Sequence, residues 1–360
     1  MSEYKRRISI LFLLFSLFFS SSFSQELNLL FAGDAMQHQL QIESVYRGGT
    51  YDYSSYFPHI EHEVSQADIA FVNLEVTLAG KPYTGYPSFS APDEYAVALQ
   101  KAGFDVFLTA NNHILDKGSK GLHRTLVILD SLGVKHTGSF RDSIERSIEY
   151  PLFIDKNGFR IAVLNYTYGT NGLIPKSPQI VNYINKQGIE NDIKKARNNN
   201  ADLVIANMHW GSEYKLIPNK EQKSLADFLV KKGVDLVIGS HPHVVQPSRL
   251  IRDEDGIARN LIVYSLGNLI SNMRAHNTDG GQLIRVSIEK KNDRIQIKSA
   301  GYILVYSYKP TSENKIDFQV IPADLIESHP HSDLFFRNAR EILNKHNEEV
   351  LEVQIRRSSY

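Results

Sequence analysis

The chain has 360 residues, 42% hydrophobic and 22% charged, a globular balance that excludes a collagen-like or largely disordered polymer. Its 40 Lys plus Arg balance 40 Asp plus Glu, so no global basic field exists to gather nucleic acid. Cysteine is absent, which removes disulfides, thiolate metal sites, iron–sulfur clusters and cysteine nucleophiles together. Any metal must be held by His, Asp, Glu or Asn.

The first segment predicts export. Lys5, Arg6 and Arg7 precede an apolar run over 8–19, followed by Ser20, Ser21, Ser22 and Ser24. A charged start, a short apolar core and small residues at the −3 and −1 positions predict a secretory signal over 1–24, cleaved after Ser24. The alternative is an uncleaved N-terminal membrane anchor. The run is short for a span and ends in serines, which favours cleavage. The mature protein is thus expected outside the cytoplasm, periplasmic or at the cell surface. A lipoprotein anchor is excluded by the missing cysteine.

Past the leader, short β-rich apolar runs alternate with helical patterns, the signature of an α/β fold. Strands are predicted over 27–32, 69–74, 106–108, 161–164, 203–206, 236–238 and 261–264. Helices are predicted from Pro92-Asp93-Glu94 to Gly103, around Leu122, Leu126 and Leu129 up to Gly133, and around Leu225, Phe228 and Leu229 up to Gly233. From Gly281 the pattern changes. A hairpin is expected from 283–289 and 294–298, a further strand over 302–308, and a polar helix from Asp333. The expected domains are one α/β unit over 27–310 and a helical C-terminal extension over 311–360.

Five of these strands run into polar clusters: Gly33-Asp34, Asn73-Leu74-Glu75, Asn111-Asn112-His113, Asn207-Met208-His209 and Gly239-Ser240-His241-Pro242-His243. Ligands of α/β folds bind beyond the carboxyl ends of strands. Asp34, Glu75, Asn112, His209, His241 and His243 together offer two carboxylates, one amide oxygen and three imidazoles. A mixed N/O set suits Mn, Fe, Zn or Ni rather than Mg or Ca. Six donors exceed one tetrahedral zinc and suit two divalent transition-metal ions sharing a carboxylate. His38 either reaches this site or is solvated. His59, His62 and the His329-Pro330-His331 run read as surface. Asp116 either orients His113 or caps the following helix. Trp210, Glu213 and Tyr214, and Tyr166 with Tyr168, either wall a substrate pocket or pack the edge of the fold.

The motifs Gly33-Asp34-Ala35-Met36, Asn73-Leu74-Glu75, Phe89-Ser90-Ala91-Pro92, Asn111-Asn112-His113-Ile114-Leu115-Asp116, His209-Trp210-Gly211, Gly239-Ser240-His241-Pro242-His243 and Ser265-Leu266-Gly267-Asn268 cover about residues 29–270. In this order they resemble the CapA/PgsA group of bacterial capsule and poly-gamma-glutamate synthesis proteins, which are similar to calcineurin-like metallophosphoesterases. The resemblance implies a metallophosphoesterase-like four-layer α/β/β/α sandwich. It implies that Asp34, Glu75 and His243 hold one ion, that Glu75, Asn112, His209 and His241 hold the other, and that His113 is the acid that protonates a leaving group. Phosphoesterases usually carry His where this chain has Met36, which weakens one ion's ligand set unless His38 substitutes. Glu75 stands where they commonly have Asp.

Two functions follow as expectations. One is an exported dinuclear-metal hydrolase or transferase acting on a cell-surface polymer or its precursor, with a metal-bound hydroxide attacking and His113 donating the proton. The other is a non-enzymatic subunit of a surface-polymer synthesis or export assembly, partnered by membrane subunits of a polymer synthase. A secreted nucleotide phosphodiesterase ranks lower. Only Lys117 and Lys215 lie near the motifs to recognise phosphate.

Overall fold

The computed structural model describes residues 25–355, apart from 274, 292–293, 310 and 313–314. The predicted signal segment over 1–24 lies outside the described residues. Two β-sheets face each other. The first orders its strands Gln319–Pro322, Arg294–Tyr308, Gly280–Lys291, Gln25–Ala35, Ile69–Leu74, Val106–Leu108 and Lys135–Thr137, with Asn268–Ile270 added to Gln25–Ala35 and Leu351–Glu352 to Arg294–Tyr308. The second orders Val245–Arg252, Ala258–Leu266, Leu236–Ser240, Leu203–His209, Phe159–Thr167 and Leu152–Lys156.

Residue parity explains the layers. Successive strand residues point to opposite faces. Leu27, Leu29, Phe31 and Phe71 meet Ile161, Val163, Ile205, Ile238 and Val263 in one core between the sheets. Leu30, Ala32, Val72 and Phe107 point the other way, beneath Leu99 of helix Asp93–Lys101 and Leu129 of helix Gly118–Leu132. Leu164, Ala206 and Val237 pack beneath Ile189 of helix Lys186–Asn198 and Leu229 of helix Lys220–Lys231. Strands buried on both faces read as continuous apolar runs, which is why they were visible in the sequence. The result is the expected α/β/β/α sandwich. Among the described residues no helix is long and apolar enough to cross a membrane.

Three details differ from the sequence expectation. Residues 294–308 form one strand, not two; Ser299, Ala300 and Gly301 break the apolar pattern but keep the pairing with Gly280–Lys291. The C-terminal residues are not appended beyond the sandwich. Gln319–Pro322 and Leu351–Glu352 join the first sheet, and helix Pro330–His346 buries Phe335, Phe336, Ala339 and Leu343 in the central core. The His329-Pro330-His331 run is exposed but forms that helix's start, with the His329 ring accepting the His331 amide hydrogen.

Candidate metal centre

The strand ends converge. Asp34, Glu75, Asn112, His209, His241 and His243 are all between 0% and 3% exposed. Their placement depends on local backbone geometry. At Gly33 a Cβ would stand 1.9 Å from the Gly267 carbonyl oxygen, so only glycine lets strand Gln25–Ala35 close on that turn and deliver Asp34. His241 and His243 have φ of 97° and 58°, in a region that non-glycine residues rarely occupy. Two such residues cost on the order of 1–3 kcal/mol each, and this strain turns both imidazoles toward the cluster.

The donor atoms form one connected group. Glu75, His241 and His243 each bring a ligating atom to within 4.8 Å of the others, and so do Asp34, Glu75 and His209. His243 Nδ1 lies 3.2 Å from Asp34 Oδ2, and His209 Nε2 lies 2.8 Å from Asn112 Oδ1. His241 groups with His243, and Asp34 with His209, while Glu75 belongs to both groups. Among the described residues, Glu75 Oε1 and His241 Nδ1 have no hydrogen-bond partner although both are buried. Buried polar atoms without partners are costly, and a cation satisfies both kinds.

Electrostatics point the same way. Burial, and then the Asp34 charge, push the Glu75 carboxyl well above its usual range. Burial, and then His241 and His243, hold His209 well below the usual imidazole range. Burial, and then His243, lower His241 to about 3. Neutral imidazoles are the ligating form. For His243, burial opposes charge, but the Asp34 hydrogen bond and charge, with Asn268, carry it above the ordinary value.

Residues without an assigned role in the sequence reading hold the carboxylates. Asn73 Nδ2 donates to Asp34 Oδ1 at 2.7 Å and to Glu75 Oε2 at 3.4 Å. Asn73 Oδ1 accepts from Asn111 Nδ2 at 3.3 Å, and Asn111 Oδ1 accepts the His113 amide hydrogen at 3.1 Å. The signal was present: Asn73 lies near the end of strand Ile69–Leu74, two residues before Glu75.

His113 is buried, and its Nδ1 lies 2.8 Å from Asp116 Oδ2. The Phe89 amide donates to that same oxygen at 2.7 Å, and the Phe89 ring packs against the imidazole, centroids 4.7 Å apart. Asp116 thus orients His113. The following helix is capped at Lys117 without a side-chain hydrogen bond.

The remaining candidates separate. Tyr168 lies over His241, centroids 4.5 Å apart, and is 48% exposed. Tyr214 lies 6.5 Å from the His243 ring and is exposed. Glu213 is exposed, and its charge raises both Glu75 and His243. Tyr166 and Trp210 do not wall the cluster. Both share the strand face that the helices cover. Tyr166 donates to Asp192 at 2.9 Å, and the Trp210 indole donates to the Tyr264 carbonyl at 2.9 Å. Trp210 reaches a cavity of about 600 Å³ that it shares with Tyr168, Gly211 and Gln222.

Met36 is buried in the core beneath the first helical layer, not among the donors. His38 is half-buried, and its Nδ1 faces Gln41 Oε1 and the Asn272 amide, each at 3.2 Å. That nitrogen is engaged with the backbone and belongs to neither donor group. His59 and His62 are exposed. A cavity of about 780 Å³ is lined by His276, Asp279, Lys309, His329 and His331 among others, and by none of the six donors.

Two facing sheets with outer helices, and a buried carboxylate–imidazole cluster at their strand ends, define an α/β/β/α sandwich protein with a candidate metal centre. The model of the family described as "Bacterial capsule synthesis protein PGA_cap" matches residues 28–273, and the chain belongs to that family. Relatives include the capsule biosynthesis protein CapA of Bacillus anthracis, 28% identical over 76% of this chain and 66% of its own length. The PGA biosynthesis protein CapA of Bacillus subtilis is 27% identical over 73% of this chain and 68% of its own. The chain thus spans about two thirds of the length of these relatives. Among solved structures, the Haemophilus influenzae NAD nucleotidase aligns at TM-score 0.49 and 14% identity, over 92% of this chain and 65% of that one. The calcineurin-like phosphoesterase YfkN of Bacillus subtilis aligns at 0.47 and 12%, over 88% and 97%.

Proposed function

We propose that this protein is an exported, metal-dependent hydrolase-type member of the capsule synthesis family. It acts on a cell-surface polymer of the poly-gamma-glutamate kind, or on its precursor. Glu75 carries this reading. Its carboxylate is fully buried, is shared by both donor groups, and has one oxygen that no described donor satisfies. Carboxylate, amide and imidazole donors fit divalent transition ions. Asp34, Glu75, Asn112, His209, His241 and His243 would hold two of them. Such ions supply Lewis acidity and acidify water.

The chain's own groups do the rest. Asp116 occupies His113 Nδ1, so Nε2 is the atom that gives a proton to the leaving group. Tyr168, Glu213 and Tyr214 border the mouth and orient the polymer. Similarity to the Bacillus capsule and PGA biosynthesis proteins supports the polymer class, and membrane subunits of a polymer synthase are the proposed partners.

Met36 favours a second reading. With a buried thioether at that position and His38 Nδ1 held by the backbone, one ion lacks a ligand. The protein would then be a non-enzymatic subunit with a structural metal. One experiment separates the two. Protein lacking residues 1–24 is loaded with Mn²⁺ or Zn²⁺ and offered phosphoester and amide substrates, poly-gamma-glutamate included. Metal-dependent cleavage supports the hydrolase. Metal binding without cleavage of any substrate supports the subunit.

A further inference from the structure

The segment Ser265-Leu266-Gly267-Asn268 contributes none of the six donors, yet it is tied to them. Asp34 and Asn268 are register partners in a parallel strand pair, and the Asp34 amide donates to the Gly267 carbonyl at 3.0 Å. The Asn268 side chain is fully buried. Its Nδ2 donates to the Thr278 carbonyl at 2.8 Å and to Ser271 Oγ at 3.1 Å. A backbone carbonyl can only accept, so the amide's NH₂ end is fixed toward Thr278. Its oxygen end is therefore the one facing His243 Nδ1, at 3.0 Å.

That oxygen has no hydrogen to give, so the hydrogen between the two atoms must sit on His243 Nδ1. Asp34 Oδ2, 3.2 Å from the same nitrogen, is a second acceptor. A neutral imidazole protonated at Nδ1 carries its lone pair on Nε2. Nε2 is the atom that lies 3.8 Å from Glu75 Oε1. We infer that Asn268 is a positioning residue: it selects the Nδ1–H tautomer of His243 and aims Nε2 into the donor cluster. Groups that orient a metal-binding histidine through its other nitrogen are typically worth about 10–100-fold in metal affinity.

The inference rests on the metal reading only for its affinity measurement; the tautomer is read without metal. Metal-free protein labelled with ¹⁵N-histidine is studied by long-range ¹H–¹⁵N NMR in mildly alkaline buffer. His243 should show a protonated Nδ1 and a lone pair on Nε2. Asn268→Ala, which leaves only Asp34 Oδ2 beside Nδ1, should weaken that preference and reduce Mn²⁺ or Zn²⁺ binding about 10–100-fold by titration calorimetry. Asn268→Asp, which keeps an acceptor oxygen, should retain the tautomer. A wild-type His243 protonated at Nε2 overturns the inference, whether or not the variants fold. So does a folded Asn268→Ala protein with wild-type affinity. A wild-type protein that binds neither metal overturns the metal reading instead, and the His243 tautomer then decides the role of Asn268 alone.

Discussion

Asp116 holds His113 through one carboxylate oxygen, Oδ2, which lies 2.8 Å from the imidazole Nδ1 and also accepts the Phe89 amide hydrogen at 2.7 Å. The two side chains are buried and supply none of the clustered ligand atoms. In this arrangement the proposed acid is oriented by Asp116, while the Oδ1 of neighbouring Asn112 meets His209 Nε2 at 2.8 Å.

A division of labour follows. General acids contribute about 10²–10⁴-fold to rate, while ligands set occupancy. His113→Ala should cut turnover by a factor in that range and leave metal content unchanged. Asn112→Ala should lower both, and Asp116→Asn should show a smaller loss of turnover at full metal content. Metal per chain and turnover, measured on the same preparations, check this. Loss of metal from His113→Ala would make His113 a ligand.

Glu75 predicts a trade between stability and metal binding. Its carboxyl titrates well above the ordinary 4.5 in the metal-free fold, because burial and Asp34 oppose its charge. A folded value raised above the unfolded one gives a stability contribution that is full below about pH 4.5 and is lost as pH rises toward the folded value. Glutamine carries no such penalty. In metal-free protein Glu75→Gln should therefore unfold at a higher temperature than wild type, with a gap that widens as pH rises from 4.5. The same variant should fail to bind metal. Thermal unfolding in chelator across a pH series is the check, and a Glu75→Gln protein less stable at every pH would contradict it.

Tyrosine and tryptophan near the cluster should behave differently. Tyr168 is half-exposed over His241, so Tyr168→Ala should raise KM several-fold at unchanged metal content and nearly unchanged stability. Trp210 is 2% exposed in the helix-covered core, so Trp210→Ala should destabilise the fold by about 3–5 kcal/mol. Steady-state kinetics paired with denaturant titration separate the two effects.

The sequence made the strands and the clustered donor residues legible for one reason. Leu29–Ala32 and Leu203–Ala206 are buried on both faces, so they read as unbroken apolar runs that end abruptly in polar residues. The supporting amides were less legible. Asn73, Asn111 and Asn268 carry no residue-type signature of metal binding, and only the folded network shows what their two ends face. Trp210 and Tyr166 were open to either reading because aromatic type does not declare a face. Parity does: Trp210 continues Ala206 and Met208, and Tyr166 continues Leu164, all on the helix-covered side. The C-terminal strands were missed because Gln319–Pro322 and Leu351–Glu352 are short and their partners are remote in sequence.

The most direct test is the metal content of purified wild-type protein beside that of the His241→Ala, His243→Ala double variant and the His329→Ala, His331→Ala double variant. Each variant removes both histidines of a His-Pro-His motif, one at the buried strand end and one at an exposed helix start. The account predicts one to two transition-metal ions per wild-type chain, binding abolished in the first variant, and unchanged stoichiometry in the second. Unchanged stoichiometry in the His241→Ala, His243→Ala protein, or no metal in wild type, would contradict it.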